Sequence, residues 1–451
     1  VAADSPLLVE HGHLLTIAPT GAGKGIGCVI PALLDWPGPV IATDLKGENV
    51  AVTARRRRAL GQRVIVLDPL GVTGVAGDSL NPLDAFDIGD ESAVDDVAAL
   101  AHLLCAETDD PHNRFWSQRG IQLVTGVTLC VMQEARDAGP GAPAASLVAV
   151  RQLVNEAAGD PEALVERMAC SRHPEVRHCA HLLRIRAAET LGGIIAFAQA
   201  GLDFLRGESI SRAIRCSSFD LEDLTRGAPL SLYLVLPPHL LESHGRLLRL
   251  WISTLFSAIT RRATLPPQDT LFLLDEAAQF GHLPSLRQAI TLLRGYGVRT
   301  WTFWQDLSQL ERLYPADWRS MVNNCAAVQC FGATNARAAA EMAALVGFHD
   351  VDAMLALPAD RLLLQRAREA PLLARLPDYR TDARYAGSFD ANPFHARSVP
   401  IARRRSQPQA VLPPAPLAAT QVIPPAESRP AWASAGEDDR LLRSLIGLVA
   451  P

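Results

Sequence analysis

The sequence predicts an α/β fold in which a mostly parallel sheet is interrupted by a large all-α insertion. Short apolar runs bounded by turn residues recur near both ends of the chain, and helical periodicity separates the later runs. The middle stretch, from about 90 to 205, has helical periodicity without a convincing strand. Strands that alternate with helices form parallel sheets covered on both faces, so we expect the middle stretch to be inserted into a single α/β domain.

Three strands are predicted before the insertion and five after it. They are expected at Leu14–Ile17, Val40–Asp44, Val64–Asp68, Leu230–Leu236, Thr270–Leu274, Val298–Phe303, Ala326–Phe331 and Leu362–Gln365. Helices are expected at Ala93–Leu104, Trp116–Met132, Ala145–Asn155, Pro161–Met168, Val176–Leu191, Leu240–Arg261, Leu283–Leu293 and Ala336–Leu345. These elements divide the chain into an α/β domain (1–85 and 206–385), an all-α domain (86–205) and a tail (386–451). The tail is rich in Pro, Ala and Arg, and its end is predicted to form an amphipathic helix at Glu437–Val449.

Composition restricts the class of protein. The chain has 451 residues, 48% hydrophobic and 20% charged, which is typical of a globular protein rather than a disordered one. Its formal net charge of −5 excludes a polycation that coats duplex DNA. Eight scattered cysteines without a CxxC pair predict buried, reduced thiols in a cytosolic chain. No apolar run reaches the ~18 residues of a membrane helix, and the chain starts at Val1 rather than Met, so we expect a soluble fragment.

A glycine-rich turn after the first predicted strand is the strongest chemical signal. It reads Ala18-Pro-Thr-Gly-Ala-Gly-Lys-Gly25 and precedes a helix expected at Ile26–Asp35. Glycines let backbone N–H groups wrap a β-phosphate, a lysine reaches the β- and γ-phosphates, and the helix N-terminus adds its dipole. The turn therefore predicts a phosphate-binding loop. Its expected nucleotide contacts are Thr20, Gly21, Ala22, Gly23, Lys24, Gly25 and Ile26.

Two positions of this loop depart from the usual pattern. Ala18 stands in place of the first glycine, and Gly25 in place of the Ser or Thr whose hydroxyl holds Mg²⁺. One alternative is an ordinary glycine-rich turn in which Lys24 is incidental. A dinucleotide-binding fingerprint fits less well, because Ile26 stands where that motif has its last glycine.

An acidic pair closes the predicted strand Thr270–Leu274. Asp275 and Glu276 would lie at the carboxyl edge of the sheet, where ligands of open α/β sheets gather. This position predicts that Asp275 binds Mg²⁺ directly or through water and that Glu276 polarises the attacking water. The alternative is that Asp275 caps a helix N-terminus. With Lys24, the pair predicts an NTPase site in which the lysine and both acids converge at adjacent strand tips.

Two further polar residues flank the next predicted strand. Gln305 follows it and would hydrogen-bond the γ-phosphate or the lytic water, unless it merely caps the strand. Arg294 precedes it, beside glycines, and would project far enough to reach the γ-phosphate of a neighbouring subunit. The alternative for Arg294 is a surface side chain that neutralises a helix C-terminus.

Taken in order, these segments resemble the nucleotide-binding domain of TraG-like type IV secretion coupling proteins. The resemblance runs over Leu14–Ala396 and rests on APTGAGKGIG, VIPALLDWPGPVIATDLKGEN, VIVLDPLG, SLNPLDAF, LFLLDEAAQFG, LLRGYGVRTWTFWQDLSQL and NPFH. Phosphate-binding loops of this family often end in GKG, which accounts for Gly25. Water, Thr20 or Asp44 would then replace the missing hydroxyl. The DLKGE segment (Asp44–Glu48) would order the site, line the inside of a ring, or be a plain turn.

The resemblance implies a RecA-like P-loop ATPase domain with an all-α domain that recruits substrate. Its implied roles are phosphate-binding lysine for Lys24, magnesium ligand for Asp275, water activation for Glu276, sensor for Gln305 and action in trans for Arg294. The implied cofactors are ATP and Mg²⁺. The implied partners are relaxase-bound single-stranded DNA, secreted effector proteins and other components of the secretion system. The resemblance implies a homo-hexamer for the full-length, membrane-bound form on the cytoplasmic face of the bacterial inner membrane. For this fragment, without the family's N-terminal membrane helices, a monomer is the alternative.

Three functions are compatible with these features. The first is an ATP-hydrolysing coupling protein that delivers substrates to a secretion channel. The second is a docking platform in which nucleotide is structural, against which the intact Lys24, Asp275 and Glu276 argue. The third is a DNA translocase of the FtsK/HerA type, against which the helical insertion and the DLKGE and NPLD segments argue.

Overall fold

The computed structural model describes residues 12–105, 111–184 and 188–394, without the side chains of residues 111, 112 and 188. All of these residues belong to one compact unit. The helix predicted at Glu437–Val449 and most of the tail lie outside the described residues.

The sheet is mostly parallel, as predicted. Among the described residues, nine strands form one sheet in the order β3-β4-β2-β5-β6-β1-β7-β8-β9. Their bounds are β1 His13–Ile17, β2 Val40–Asp44, β3 Arg63–Leu67, β4 Leu230–Val235, β5 Thr270–Leu274, β6 Val298–Trp304, β7 Cys325–Cys330, β8 Arg361–Arg366 and β9 Leu372–Arg375. The strands from β3 to β7 in this order pair in parallel, whereas β8 and β9 add antiparallel pairs at one edge. The prediction omits β9, because four residues are too few to display an alternating pattern.

Helices make the connections between strands. After a π-helical turn at Gly25–Val29, they are α1 Ile30–Asp35, α2 Glu48–Ala59, α3 Ala93–Leu104, α4 Pro111–Ala138, α5 Leu147–Glu156, α6 Pro161–Ala169, α7 Pro174–Leu183, α8 Ala188–Leu202, α9 Glu208–Arg215, α10 Leu221–Arg226, α11 Leu241–Thr260, α12 Pro284–Leu292, α13 Leu307–Leu313, α14 Trp318–Asn323, α15 Ala336–Leu345 and α16 Val351–Leu355. Between β3 and β4, the described residues form helices and no strand.

The helix boundaries in this region differ from the prediction. The helix expected at Val176–Leu191 is wrong, because α7 ends at Leu183 and α8 begins separately at Ala188. Arg184 leaves helical geometry with ψ of 60°. Apolar spacing continues across this break, so periodicity alone does not reveal it. Helices α9 and α10 were not predicted.

Both faces of the sheet are covered. In β4, Leu232 and Leu234 enter one hydrophobic core, whereas Tyr233 and Val235 enter a second core on the opposite face. The first core continues into the helices between β3 and β4. The second core includes α1 through Leu33. Because β1 to β7 pair in parallel, their carboxyl ends lie at the same end of the sheet, where ligands bind in folds of this class.

The structure bears on two expectations from composition, the lack of a membrane-spanning helix and the burial of the cysteines. No helix in the described part of the chain combines the length and the apolarity that a membrane crossing requires. All eight cysteines are described, and none is in a disulfide. Six are buried as expected, but Cys170 and Cys216 are exposed.

Candidate functional site

The glycine-rich loop connects β1, near the middle of the sheet, to the π-helical turn at Gly25–Val29. Gly21 and Gly23 have φ of +82° and +100°, a conformation that residues with a Cβ rarely adopt. Thr20 and Gly21 are exposed, and Ala22, Gly23, Gly25 and Ile26 are partly exposed. The loop therefore presents backbone to solvent beside a helix N-terminus, the arrangement that binds phosphate.

Lys24 lies beneath this loop rather than in solvent. Its side chain is 7% exposed, and its Nζ donates a hydrogen bond to the carbonyl oxygen of Ala18 at 2.9 Å. The same Nζ is 3.2 Å from Oε1 of Glu276. The lysine thus links the loop after β1 to the acidic pair after β5, which the alternative of an incidental lysine does not explain.

The predicted convergence of the lysine and the acids is present, but the strands are not neighbours. In the sheet, β6 lies between β5 and β1, so the expectation of adjacent strand tips is wrong. The Lys24 side chain nevertheless reaches Glu276, since its Nζ lies 3.2 Å from Oε1 of the acid. Glu276 itself has φ of +52°, one of two non-glycine residues with positive φ in the described chain. Backbone strain of this kind persists where surrounding structure imposes it and is common at functional sites.

Asp275 is partly buried at the end of β5. Its Oδ1 accepts a hydrogen bond from the backbone N–H of Glu276 at 3.0 Å, and Thr43 Oγ1 donates to its backbone carbonyl at 3.1 Å. Burial, and then the nearby charge of Glu276, raises the pKa of Asp275 to about 6. Residue 276, not Asp275, occupies the N-cap position of the short helix Ala277–Phe280, which contradicts the capping alternative.

Gln305 completes this group of side chains. It directly follows β6, and its Nε2 donates a hydrogen bond to Oε2 of Glu276 at 2.8 Å. Its backbone N–H donates to Oε1 of Gln309 at 3.0 Å. One carboxylate oxygen of Glu276 therefore contacts Lys24 and the other contacts Gln305, which fixes the orientation of the acid.

Arg294 lies apart from this group. It is exposed in the turn Leu293–Tyr296 that precedes β6, whereas the acids and Gln305 follow their strands. Its positive charge contributes to lowering the pKa of His13, which begins β1. Arg294 therefore lies at the amino edge of the sheet, opposite the phosphate loop of its own chain.

Two residues near the loop were not predicted as site residues. Glu48, at the start of α2, places Oε1 3.7 Å from where a Cβ on Gly25 would lie. Asn392 donates from Nδ2 to Oε2 of Glu48 at 3.3 Å. Both residues lie in segments that the sequence marks, DLKGE and NPFH, but neither segment by itself indicates that the two meet beside the phosphate loop.

These residues fit a magnesium–nucleotide. Mg²⁺ prefers oxygen ligands and is usually bound through one or two carboxylates together with substrate phosphates. Asp275 and Glu48 are carboxylates of this kind: Glu48 lies beside Gly25, and Asp275 is close enough to Lys24 and Glu48 for their charges to influence its pKa. The raised pKa of Asp275 reflects a negative charge that its surroundings disfavour, and a divalent cation would relieve that cost.

The sequence profile of one protein family matches most of this chain. The family is described as type IV secretory system conjugative DNA transfer, and the match covers residues 3–351. Conjugal transfer protein TraG of Escherichia coli is 28% identical over 351 residues, which are 74% of this chain and 55% of that protein. Protein VirD4 of Rhizobium radiobacter is 30% identical over 331 residues, which are 72% of this chain and 46% of that protein. The chain spans about half the length of these curated relatives.

The fold is also found in solved structures of much lower sequence identity. The plasmid coupling protein TrwB in complex with the non-hydrolysable ATP analogue ADPNP has a TM-score of 0.62 at 15% identity, over 81% of this chain and 85% of that one. TrwB in complex with ADP and Mg²⁺ has a TM-score of 0.59 at 15% identity, with the same coverage. At this identity the likeness concerns the fold alone, and it confirms the RecA-like α/β architecture expected from the sequence.

Proposed function

The chain belongs to the family of type IV secretory system conjugative DNA transfer proteins, and on that premise we propose that it is an ATP-hydrolysing coupling protein. The observation that carries this proposal is the contact of Glu276 with both Lys24 and Gln305 at the end of β5 and β6. A phosphate-binding lysine, a water-polarising acid and an amide that orients the acid are the parts that phosphoryl transfer to water requires.

Each residue has a distinct part in the proposed reaction. Backbone N–H groups around Gly21 and Gly23 bind the β-phosphate, and Lys24 reaches the β- and γ-phosphates. Glu276 accepts a hydrogen bond from the attacking water, and Gln305 holds its carboxylate in place. Asp275 is the carboxylate that would hold Mg²⁺ directly or through water, and the ion would supply neutralisation of charge on the phosphate oxygens. The protein's contribution is thus positioning and charge stabilisation.

Assembly into a ring would complete the site. Arg294 is exposed at the edge of the sheet opposite its own phosphate loop. A head-to-tail ring, such as the proposed hexamer, brings that edge of one subunit to the phosphate edge of the next. There the guanidinium would stabilise charge on the γ-phosphate in trans.

A coupling protein must also bind the substrate that is to be transferred. The relatives named above are conjugal transfer and VirD4 proteins. We propose that the helical segment at 86–205 recruits relaxase-bound single-stranded DNA or effector proteins. The motor would deliver them to the other components of a secretion channel at the cytoplasmic face of the bacterial inner membrane.

ATP turnover distinguishes this proposal from a docking platform. We expect measurable turnover by the wild-type chain at ring-forming concentration, and a loss of about 10² to 10⁴-fold in Glu276→Gln, the range contributed by acid–base groups. Glu311→Gln, an exposed change on α13, is the matched control. Equal and negligible rates in wild type and Glu276→Gln would favour the platform. Movement along duplex DNA in a translocation assay would instead favour the FtsK/HerA-type function.

A further inference from the structure

The phosphate loop lacks the side chain that usually anchors its metal. In most P-loops the residue after the lysine is Ser or Thr, whose hydroxyl binds Mg²⁺. Here that residue is Gly25, which has no side chain to offer. A site that binds a magnesium–nucleotide with this loop therefore needs an oxygen from elsewhere in the chain.

Glu48 is the side chain that occupies this region. Its Oε1 lies 3.7 Å from the position of a Cβ built on Gly25, an ordinary contact distance. Apart from Gly25's own neighbours along the chain, no other atom of the described residues lies within 4 Å of that position. A serine hydroxyl would extend from that Cβ by one further bond. Oε1 of Glu48 therefore lies close to the position that the hydroxyl of a serine at residue 25 would occupy.

The orientation of this carboxylate is fixed by its other oxygen. Oε2 of Glu48 accepts a hydrogen bond from Nδ2 of Asn392 at 3.3 Å, and Asn392 is buried. This contact leaves Oε1 as the oxygen that faces the loop. Partners that orient a ligating carboxylate are a regular feature of metal sites.

We propose that the carboxylate of Glu48 gives the magnesium of the bound nucleotide the oxygen ligand that a P-loop hydroxyl gives in other proteins. This inference rests on the proposed function only in requiring that the site binds a magnesium–nucleotide. Asn392 is a positioning residue in this arrangement. A compact hard cation such as Mg²⁺ accepts a carboxylate oxygen at least as readily as a hydroxyl.

Asp44, the other acid of the same segment, is less suited to this role. Its Oδ2 accepts from the backbone N–H of Val50 at 2.9 Å, and its Oδ1 accepts from that of Lys46 at 3.3 Å. Asp44 therefore uses both oxygens to close the turn between β2 and α2. The role of Asp44 is therefore structural. It holds the start of α2, which carries Glu48, close to the end of β2.

The position of Glu48 can also be explained by helix stability alone, and the experiment must distinguish this structural role from metal binding. It is the first residue of α2, after Gly47 at the N-cap, where an acidic side chain stabilises the helix dipole. Glu208 has the same setting, as the first residue of α9 after Gly207 at the N-cap, and it is exposed. Glu208→Gln is therefore a control that removes a helix-start carboxylate away from the phosphate loop.

Binding of the fluorescent nucleotide mant-ADP to the full chain, in EDTA and in a Mg²⁺ titration, tests the proposal. In Glu48→Gln we expect the Mg²⁺ concentration needed for half-maximal enhancement of mant-ADP affinity to rise by about 10-fold or more. In EDTA, affinity should be unchanged or higher, because a carboxylate that repels the phosphates has been removed. Glu208→Gln should match the wild type in both conditions. Thermal unfolding checks that every variant is folded.

Substituting serine for Gly25 tests whether a P-loop hydroxyl can replace the carboxylate of Glu48. The backbone of Gly25 is helical, and a Cβ there meets no close contact, so Gly25→Ser is sterically tolerated. In the Glu48→Gln background, Gly25→Ser should restore most of the Mg²⁺ response. An unchanged Mg²⁺ response in Glu48→Gln, or a loss that the serine does not repair, would overturn Glu48 as a direct ligand. Failure of the wild type to bind mant-ADP in any condition would instead overturn the proposed function itself.

Discussion

Lys24 and Glu276 form an ion pair, with Nζ 3.2 Å from Oε1, although they follow strands that are not neighbours in the sheet. The side chains are 7% and 19% exposed, so solvent screens the pair only partly. Removing either partner would leave the other charge poorly compensated. Lys24 and Glu276 are consequently a coupled pair, so a substitution that disturbs one side chain also affects the other.

Gln305→Ala should reduce ATP turnover while leaving nucleotide affinity nearly unchanged. The amide of Gln305 donates to Oε2 of Glu276, so its loss frees the acid to rotate away from the attacking water. We expect kcat to fall by about 10 to 100-fold, the effect of one or two lost hydrogen bonds to a charged group. Steady-state kinetics measures the loss of kcat, and direct nucleotide titration checks that the affinity for nucleotide is unchanged. Gln288→Ala, an exposed change on α12, is the control, and a matching loss of affinity would contradict an orienting role.

Arg294→Ala should abolish turnover through a neighbouring subunit. Because Arg294 lies at the edge of the sheet opposite its own phosphate loop, its removal should leave nucleotide affinity intact. We expect a loss of about 10³-fold or more in turnover, as for other arginines that act in trans. Mixing Arg294→Ala with Lys24→Ala should restore part of the activity, since some interfaces then pair an intact arginine with an intact loop. Absence of any rescue at ring-forming concentration would count against an intersubunit role.

His13 should make the protein sensitive to acid. Burial, reinforced by the charges of Arg294 and Arg299, lowers the pKa of His13 from 6.5 to about 4. The unfolded chain therefore binds more protons between these values, so stability is complete above about pH 6.5 and is lost as the pH falls toward 4. The loss is on the order of 3 kcal/mol.

Urea unfolding between pH 4.5 and 7.5 measures this loss. The stability difference between the wild type and His13→Asn should change by this amount across the range, because asparagine does not titrate while its amide oxygen can replace Nδ1 as acceptor of the hydrogen bond from the backbone N–H of Thr300. The raised pKa of Asp275 acts in the opposite direction in both proteins and therefore cancels in this difference. The exposed change His178→Asn should leave the slope unchanged. If the His13→Asn slope equals that of the wild type, another group causes the acid sensitivity.

Arg57→Lys should destabilise the fold despite conserving charge. The fully buried guanidinium donates to the carbonyls of Leu33, Trp36 and Gly38 and to the side chains of Ser231 and Gln62. An ammonium lacks the planar fork needed to serve all of these acceptors, and unsatisfied buried groups cost about 1–3 kcal/mol each.

The expected change is a loss of about 2–4 kcal/mol in the free energy of unfolding, measured by denaturant titration. Arg58→Lys, at the exposed neighbouring position, is the matched control and should stay within about 0.5 kcal/mol of the wild type. Equal effects of the two substitutions would contradict a structural role for the buried network.

Much of the site could be predicted because its chemistry is local in sequence. The glycine turn, the acids after β5 and the glutamine after β6 each follow a recognisable strand, and parallel strands place their carboxyl ends at one edge. Residues far apart in the chain, such as Lys24 and Glu276, were therefore expected to meet. The error about adjacent strands arose because strand order is set by how helices cross the sheet, which local pattern does not encode.

The sequence by itself determined the α/β class, the glycine-rich loop after β1 and the acidic pair after β5, since these depend on periodicity and on residue types at fixed spacings. Only the tertiary structure decided that β6 lies between the strands that carry the two partners of the ion pair, that Arg294 lies at the opposite edge, and that Glu48 lies beside Gly25. The physical reason is that these are relations between side chains brought together by packing. Such contacts depend on the whole arrangement of strands and helices, whereas a motif depends only on its own few residues.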